Sequence, residues 1–368
     1  MDSKVRLENL YRQLLSEISG EKLVAHVVSR KNGRVCWLTR PLDPYRRIFV
    51  CGAGKASVSM AQGVLNALGT CDGGLVITKK GDSQRLVGIE VIEAAHPIPD
   101  ESSLIAGERM LEFASQATEG DVVIFCLSGG ASALMESLNE GISLETLREK
   151  TNEMLRSGLP IERINENRSM LSRIKGGKLS LAFQPARVLV IILSDVSGDR
   201  IEVIGSQPFI PDSKDQVLVG GYETSRGVAG VLAPEARIAR RFYEGEARDL
   251  APFFAAQMRN PGYYVWAGEP TVTVNGTGTG GRCQELALAM AITLRERPGT
   301  AFLAGSTDGT DGPTDVAGAV VDSFSANDQA ERYLADNDSG GYFARYGGGI
   351  ITGPTGSNLN DIFIGWVG

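Results

Sequence analysis

The chain has 368 residues, room for two ordinary domains, and its 42% hydrophobic and 22% charged content is that of a folded protein rather than a disordered one. A net charge of −7 and a pI of about 5.2 argue against a nucleic-acid duplex or an anionic membrane as the main partner, since both demand basic surface, and they leave small solutes. Five cysteines, odd in number and without CxxC spacing, read as reduced thiols; with no leader of secretory pattern the expected location is the cytoplasm, and a homo-oligomer stays open. The opening "MDSKVRLENLYRQLLSEI" is an amphipathic helix, and His26 falls in a further helical stretch as a structural residue.

From about residue 46 short apolar runs alternate with helical stretches: "RRIFVCGAGKAS", "MAQGVLNAL", "GGLVITKKG", "GIEVIEAAHPIPD", a helix near 101–117, and "GDVVIFCLSGGASALM". Continuous rather than alternating apolar runs predict strands covered on both faces, hence a parallel α/β sheet with function at the carboxyl ends of its strands. In "FVCGAGKAS" Gly52 and Gly54 close a strand and Lys55 enters a helix, offering bare backbone N–H groups and one movable cation to an anion. A Walker A loop is excluded by Phe49 and Ala56, and a dinucleotide fingerprint is imperfect because Ser57 stands at the third glycine and Lys79 and Lys80 where an acid belongs. For this loop taken alone, the other reading is a plain tight turn.

"FCLSGGASALM" repeats the geometry with Ser128, Gly129 and Gly130 ahead of a helix beginning near Ser132. "NENRSMLSRIKGGKLS" then offers Asn167 and Arg168, read as lying near a helix start, with Arg173, Lys175 and Lys178, against the alternative of a solvated basic face. "ILSDVSGD" puts Asp195 and Asp199 at a strand exit, as a magnesium-binding or hydroxyl-binding carboxylate or as a bland turn. His96 in "AAHPIPDE" either lines the cleft or orders its loop.

A change of texture after "SQPFIPDSKDQ" sets a boundary near 216, giving domains 1–215 and 216–368. The second half reads as α/β too, through "GYYVWAGE", "TVTVNGTGTGGRCQELALAMAITLRE", "GTAFLAGSTDGTDGPTD", "AGAVVD", a helix near 325–336 and "GGIITGPTGSNLNDIFIGWVG". Leu286, Met290 and Leu294 share a helix face by spacing, which puts Arg282 in the first turn. A cation is disfavoured there by the dipole, which hints at an anion shared with the backbone. Glu285 reads as an ordinary first-turn acid. Asp308, Asp311 and Asp315 crowd one glycine-rich loop that lacks calcium-hand spacing, and two histidines in the whole chain make a His-rich zinc site or a Ser-His-Asp hydrolase improbable. The acids cap and tie a turn in one reading, Asp315 above all, and meet ligand in the other.

Taken in order, "GAGKAS", "AAHPIPDE", "LSGGASAL", "NENRSMLSRIKGGKL", "LSDVSGD", "GTGGRCQELAL", "STDGTDGPTDVAGA" and "TGPTGSNLNDI" resemble the glycerate 2-kinase family, the class with a C-terminal MOFRL domain, from about residue 46 to the C-terminus. The resemblance implies two α/β domains, a Rossmann-like parallel sheet with helices on both faces and a smaller C-terminal one, with the active site in the cleft between them. It also implies ATP- and Mg²⁺-dependent phosphorylation of D-glycerate to 2-phosphoglycerate, with Lys55 and Arg282 as the catalytic pair. Two cations on one phosphoryl group suit a transfer that rests on positioning and charge stabilisation. On this reading Gly52, Gly54, Ser128, Gly129, Gly130, Ser132, Asn167, Arg168, Lys175 and Asp311 bind substrate or phosphate, and Asp195 and Asp308 hold metal.

The chain departs from the family pattern at Gln207, usually glycine, Met170, usually histidine, Ala267, usually glycine, and Cys283, usually asparagine; it is also shorter, with the missing segment near Asp212. These departures bear on the acceptor and leave the fold expectation untouched. Two other functions compete: an NADP-dependent hydroxypyruvate reductase, on the GxG turn and Lys79-Lys80, and a phospho-acid sensor without turnover.

Overall fold

The structure, a computed structural model, describes residues 2–82, 84–157, 161–210 and 215–368, so the segment around Asp212 lies outside the described residues. Three short strands, Val28–Lys31 (β1), Arg34–Trp37 (β2) and Arg40–Pro41 (β3), form a small antiparallel sheet ahead of the first large one. The apolar runs that follow become Ile48–Ala53 (β4), Gly74–Lys79 (β5), Glu90–Ala94 (β6), Val122–Ser128 (β7), Arg187–Leu193 (β8) and Gln216–Gly220 (β9). All pair in parallel, in the order β6-β5-β4-β7-β8-β9. The winding reverses between β4 and β7, which is where a doubly wound sheet opens a ligand crevice at its carboxyl edge.

β4 and β7 are buried at every position because both faces are covered. Phe49, Cys51, Leu75, Phe125 and Ile192 point into a core closed by Met110 of the helix Glu101–Ala114 and by Phe183. The alternate residues Val50, Val76 and Ile124 are equally buried, on the side taken by the helix Ser57–Leu68, whose Met60, Ala61 and Val64 are fully covered. This is the expected Rossmann-like arrangement.

The second half forms its own six-stranded sheet from Arg237–Glu246 (β10), Gly262–Thr271 (β11), Thr300–Ser306 (β12), Gly318–Asp322 (β13), Gly349–Ile350 (β14) and Asp361–Val367 (β15), ordered β10-β11-β15-β12-β13-β14. Only β10 and β11 pair in parallel, so this sheet is mixed. One face carries Trp266, Phe302, Val321 and Phe363 against Phe254 and against Leu286, Met290 and Leu294 of the helix Arg282–Leu294. The spacing of those three helix residues therefore had its expected consequence.

The other face is covered from an unexpected quarter. The N-terminal helix Ser3–Glu17 buries Leu7, Leu10, Tyr11, Leu14 and Leu15 against β12, β13 and β15, so Met1–Ile18 groups with Tyr222–Gly368 while Ser19–Gly221 forms the other unit. The boundary expected near 216 moves past β9, because that strand completes the parallel sheet by pairing with β8. Amphipathic spacing announces that a helix has a face to bury and is silent on which sheet will receive it.

Candidate active site

Within Ser19–Gly221 the two glycine turns pack against each other at the carboxyl ends of β4 and β7. A Cβ at Gly54 (φ +130°) would stand 2.2 Å from Ser128 Oγ, and one at Gly52 would stand 2.8 Å from the Cys126 carbonyl oxygen. Gly54 is required by the neighbouring turn and Gly52 by the adjacent strand β7. The N–H groups of Gly54, Lys55, Ala56 and Ser57 donate to Ile77 O, Gly129 O, Ser128 Oγ and Gly54 O. The bare donors expected on "GAGKAS" are thus spent inside the protein, and buried Ser128 locks one turn to the other instead of meeting a ligand. Ser57 fills the place of a third glycine with a buried hydroxyl that donates to Gly54 O and Ile77 O.

Side chains remain. Gly130 (φ +85°) is a position where a Cβ would stand 3.1 Å from the His96 ring and 3.2 Å from Lys55 Cγ, so the SGG turn brings Lys55 and His96 together. The helix after it, Ala131–Leu134, is a single turn, too short for much of a dipole, although its first N–H groups still have no intrahelical acceptors. Ser132 Oγ lies 2.8 Å from Ser206 Oγ, which reaches Asn165 Oδ1 at 3.1 Å. Gly205, Ser206 and Gln207 run at φ +60°, +58° and +53°, which explains why glycine suits the position Gln207 occupies.

Asn167 and Arg168 sit in the second half of the helix Ile161–Leu171, away from its start. Asn167 is exposed and returns its amide to Arg163 O, so Asn165 is the asparagine of this motif that reaches the serines. Arg168 extends Nη2 to within 3.4 Å of Ser132 O, and its buried Nε has no hydrogen-bond partner among the described residues. Burial lowers its pKa, opposed by Glu136. Lys175, expected at the ligand, is fully buried; its ammonium pairs with the equally buried Glu136, which also accepts from Ser172 Oγ. Burial, partly countered by Glu136, brings the lysine down to about 8. Lys175 shapes this region from beneath. Asp195 is half-buried just past β8, where Ser194 N bonds Gly220 O.

In the other unit the ends of β11 and β12, the start of β15 and the head of the helix Arg282–Leu294 meet at one edge of the sheet, since Gly268 and Ser306 both pair with Asp361. Arg282 donates Nη1 to Glu269 (2.7 Å) and Nη2 to Asp361 Oδ1 (3.1 Å), with Nε 2.6 Å from Asp361 Oδ2. Asn360 steadies Glu269 by donating Nδ2 to Oε2 at 2.9 Å. Asp361 is fully buried, and burial pushes its carboxyl up to about 7 against the pull of Arg282. Burial opposes the charge on Arg282, yet Asp361 and Glu269 outweigh it and raise its pKa. The side chain keeps 31% exposure. Tyr11, from the N-terminal helix, lies beneath with its hydroxyl on Ser306 O, raised by burial and by the nearby Cys283, Asp361 and Asp308.

The anion sensed at the helix head belongs to the chain itself. Asp311 accepts from Cys283 N and Gln284 N at 3.0 and 2.8 Å, and from Gln284 Nε2 at 3.0 Å, while Gly281 leaves room for its carboxylate. At 1% exposure it caps the helix, which is a different task from the substrate contact expected of it. The "NGTGTGG" loop is likewise filled from within: Asn337 takes the N–H groups of Asn275 and Gly276, Asp336 that of Thr277 and Asp338 that of Thr279. Asp308 uses Oδ1 for Ser306 Oγ, Thr310 N and Thr310 Oγ, each at 3.0 Å.

Residues 6–220 match a family model described as a domain of unknown function, DUF4147, and residues 262–361 match the MOFRL family. Along 378 aligned positions the chain is 37% identical to the D-glycerate 2-kinase of Thermotoga maritima, spanning 87% of this chain and 91% of that protein. The chain belongs to the glycerate 2-kinase family. The Glycerate 2-kinase of Pyrococcus horikoshii is 33% identical over 86% of this chain and 87% of its own. A crystal structure of glycerate kinase from Thermotoga maritima aligns with a TM-score of 0.85 at 33% identity, covering 99% of each chain.

In this glycerate 2-kinase family member, further side chains surround the candidate residues that sequence reasoning named. Glu269 and Asp361 end one buried apolar run and begin another, and an acid at the edge of such a run is the sequence signal for them. Tyr11 and Asn165 gave no signal, since their roles depend on segments distant in sequence. No group of three or more His, Cys, Asp or Glu side chains poised to hold a metal occurs among the described residues, and no helix among them is long and apolar enough to cross a membrane.

Proposed function

We propose that this protein transfers the terminal phosphoryl group of ATP to the 2-hydroxyl of D-glycerate, yielding 2-phosphoglycerate and ADP. The observation that carries the reading is the 37% identity to a D-glycerate 2-kinase over 91% of that protein's length. Lys55 and Arg282 carry the negative charge of the transferred group. Lys55 supplies an ammonium on a side chain that passes Gly130 beside His96, and Arg282 supplies a guanidinium fixed by Asp361 and Glu269. Ser132, Ser206 and Asn165 form a short polar chain suited to a hydroxy acid, with Arg168 for its carboxylate or for phosphate oxygens.

The Arg282 surroundings contain the carboxylates of Glu269, Asp308, Asp311 and Asp361 against one guanidinium, an unfavourable balance for an anionic nucleotide without a further cation. Hard oxygen donors at Asp308 and Glu269 suit Mg²⁺, which commonly takes one or two carboxylates and completes its shell with phosphate and water. When bound, the ion would neutralise phosphate charge. Asp195 remains the alternative donor, on the other unit.

The test is ADP release from Mg-ATP on adding D-glycerate, with the phosphorylated carbon assigned by phosphorus NMR. Product phosphorylated at the primary hydroxyl, or no release above background, removes the reading. NADPH oxidation on adding hydroxypyruvate would favour the reductase instead.

A further inference from the structure

We propose that the cavity between the His96–Pro99 turn and the helices Leu144–Arg156 and Ile161–Leu171 receives the base of the nucleotide, an inference that rests on the kinase reading. The cavity measures 720 Å³ and lies wholly within Ser19–Gly221. That is within the usual range for sites that enclose a ligand of nucleotide size and far more than a three-carbon acid fills. Pro97, Ile98 and Pro99 line it from the turn, and Leu147 and Ile164 from the two helices. A flat heteroaromatic ring gains from such an apolar lining by shedding water, whereas glycerate, polar at every carbon, gains nothing from it.

Two features tie the cavity to phosphate chemistry. Pro97 directly follows His96, whose ring lies beside Gly130 and within reach of Lys55, so the proline wall begins at the cation expected to meet phosphate. Arg168 lines the cavity, touches the Ser132 carbonyl at a long 3.4 Å, and keeps a buried Nε with no hydrogen-bond partner among the described residues. Leaving a buried guanidinium donor unsatisfied is costly, and an arriving anionic oxygen would satisfy it. Arg148 holds the wall in shape by donating Nε to Pro99 O at 3.1 Å, with Nη2 on the same oxygen. Ile98, 64% exposed, is an apolar side chain left in water on the lining.

Calorimetry of Mg-ADP binding without acceptor, on the full chain and on Ile98→Glu and Ile98→Val, tests the assignment. Since Ile98 is largely exposed, its replacement leaves the core intact. The expected result is a Kd raised by about tenfold or more in Ile98→Glu and held within about twofold in Ile98→Val, with half-saturating glycerate unchanged. Unaltered Mg-ADP binding in Ile98→Glu overturns the assignment, as does a failure of the parent protein to bind Mg-ADP. Weakened glycerate saturation with normal Mg-ADP binding also overturns it and gives the cavity to the acceptor. A parent protein that binds Mg-ADP but leaves glycerate untouched sinks the acceptor reading alone.

Discussion

Asp308 and Asp311 share one glycine-rich loop, yet the fold gives them unlike tasks. Asp311 is consumed by the head of a helix, and its loss would strand the buried N–H groups of Cys283 and Gln284. We expect Asp311→Ala to destabilise the protein by about 2–4 kcal/mol in denaturant unfolding. A loss below about 0.5 kcal/mol would show that the cap is dispensable. Lys55 and Arg282 are different: both are partly exposed, and removing either should lower kcat by about 10²–10³-fold, with Lys55→Ala costing little stability and Arg282→Ala more, since it leaves buried Asp361 without its cationic partner. Steady-state rates near those of the parent, in a folded variant, would take that residue out of the mechanism. Asp361→Asn should behave as the loss of a positioning residue, with kcat reduced and KM for ATP nearly constant, because the guanidinium stays and only its bidentate seat changes.

At the level of elements, the N-terminal helix is part of the second sheet's core rather than an appendage. Leu14 and Tyr11 are wholly buried against strands encoded far downstream, and a Cβ at Gly305 would stand 2.6 Å from the Tyr11 ring. Leu14→Ala should therefore cost about 3 kcal/mol, near the middle of the range for a buried leucine. Thermal melting would check it; an unchanged melting temperature would mean the helix contributes no packing. The glycine turns carry a related lesson. From sequence, a glycine at a strand end advertises close approach by something; in this protein the partner is the strand β7 at Gly52, the SGG turn at Gly54, and the chain's own carboxylates along residues 275–281. The SGG turn, by contrast, brings the side chains of Lys55 and His96 together.

For the molecule as a whole, stability should bend with pH in three windows. Asp121, paired with Arg47, is held down at about 2, so its contribution is full above about pH 4 and fades as pH falls toward 2. Asp361, pushed up to about 7, keeps in the folded state a proton the unfolded chain has lost, so stability declines as pH climbs from about 4 to 7. Lys175, brought down to about 8, reverses the sign: the unfolded chain binds the extra proton between about 8 and 10.5, and stability rises across that interval. Melting temperature against pH for the parent and Asp361→Asn would separate these, with the decline between 4 and 7 flattened in the variant. An identical slope in both would remove Asp361 as its source.

By itself the sequence determined the class of each half, the strands β4, β5, β7, β8, β11 and β12, the head of the Arg282 helix and the family, because continuous apolar runs, turn residues and ordered motifs are local properties of the chain. Tertiary structure alone decided where the first helix docks, that Lys175 is buried on Glu136, that Asn165 rather than Asn167 faces the serines, and that Asp311 is a cap. Each of those outcomes turns on which distant segment supplies the opposite charge, the missing hydrogen-bond donor or the facing apolar surface. Periodicity along one strand of sequence carries no record of that partner, and only folding brings it within contact distance.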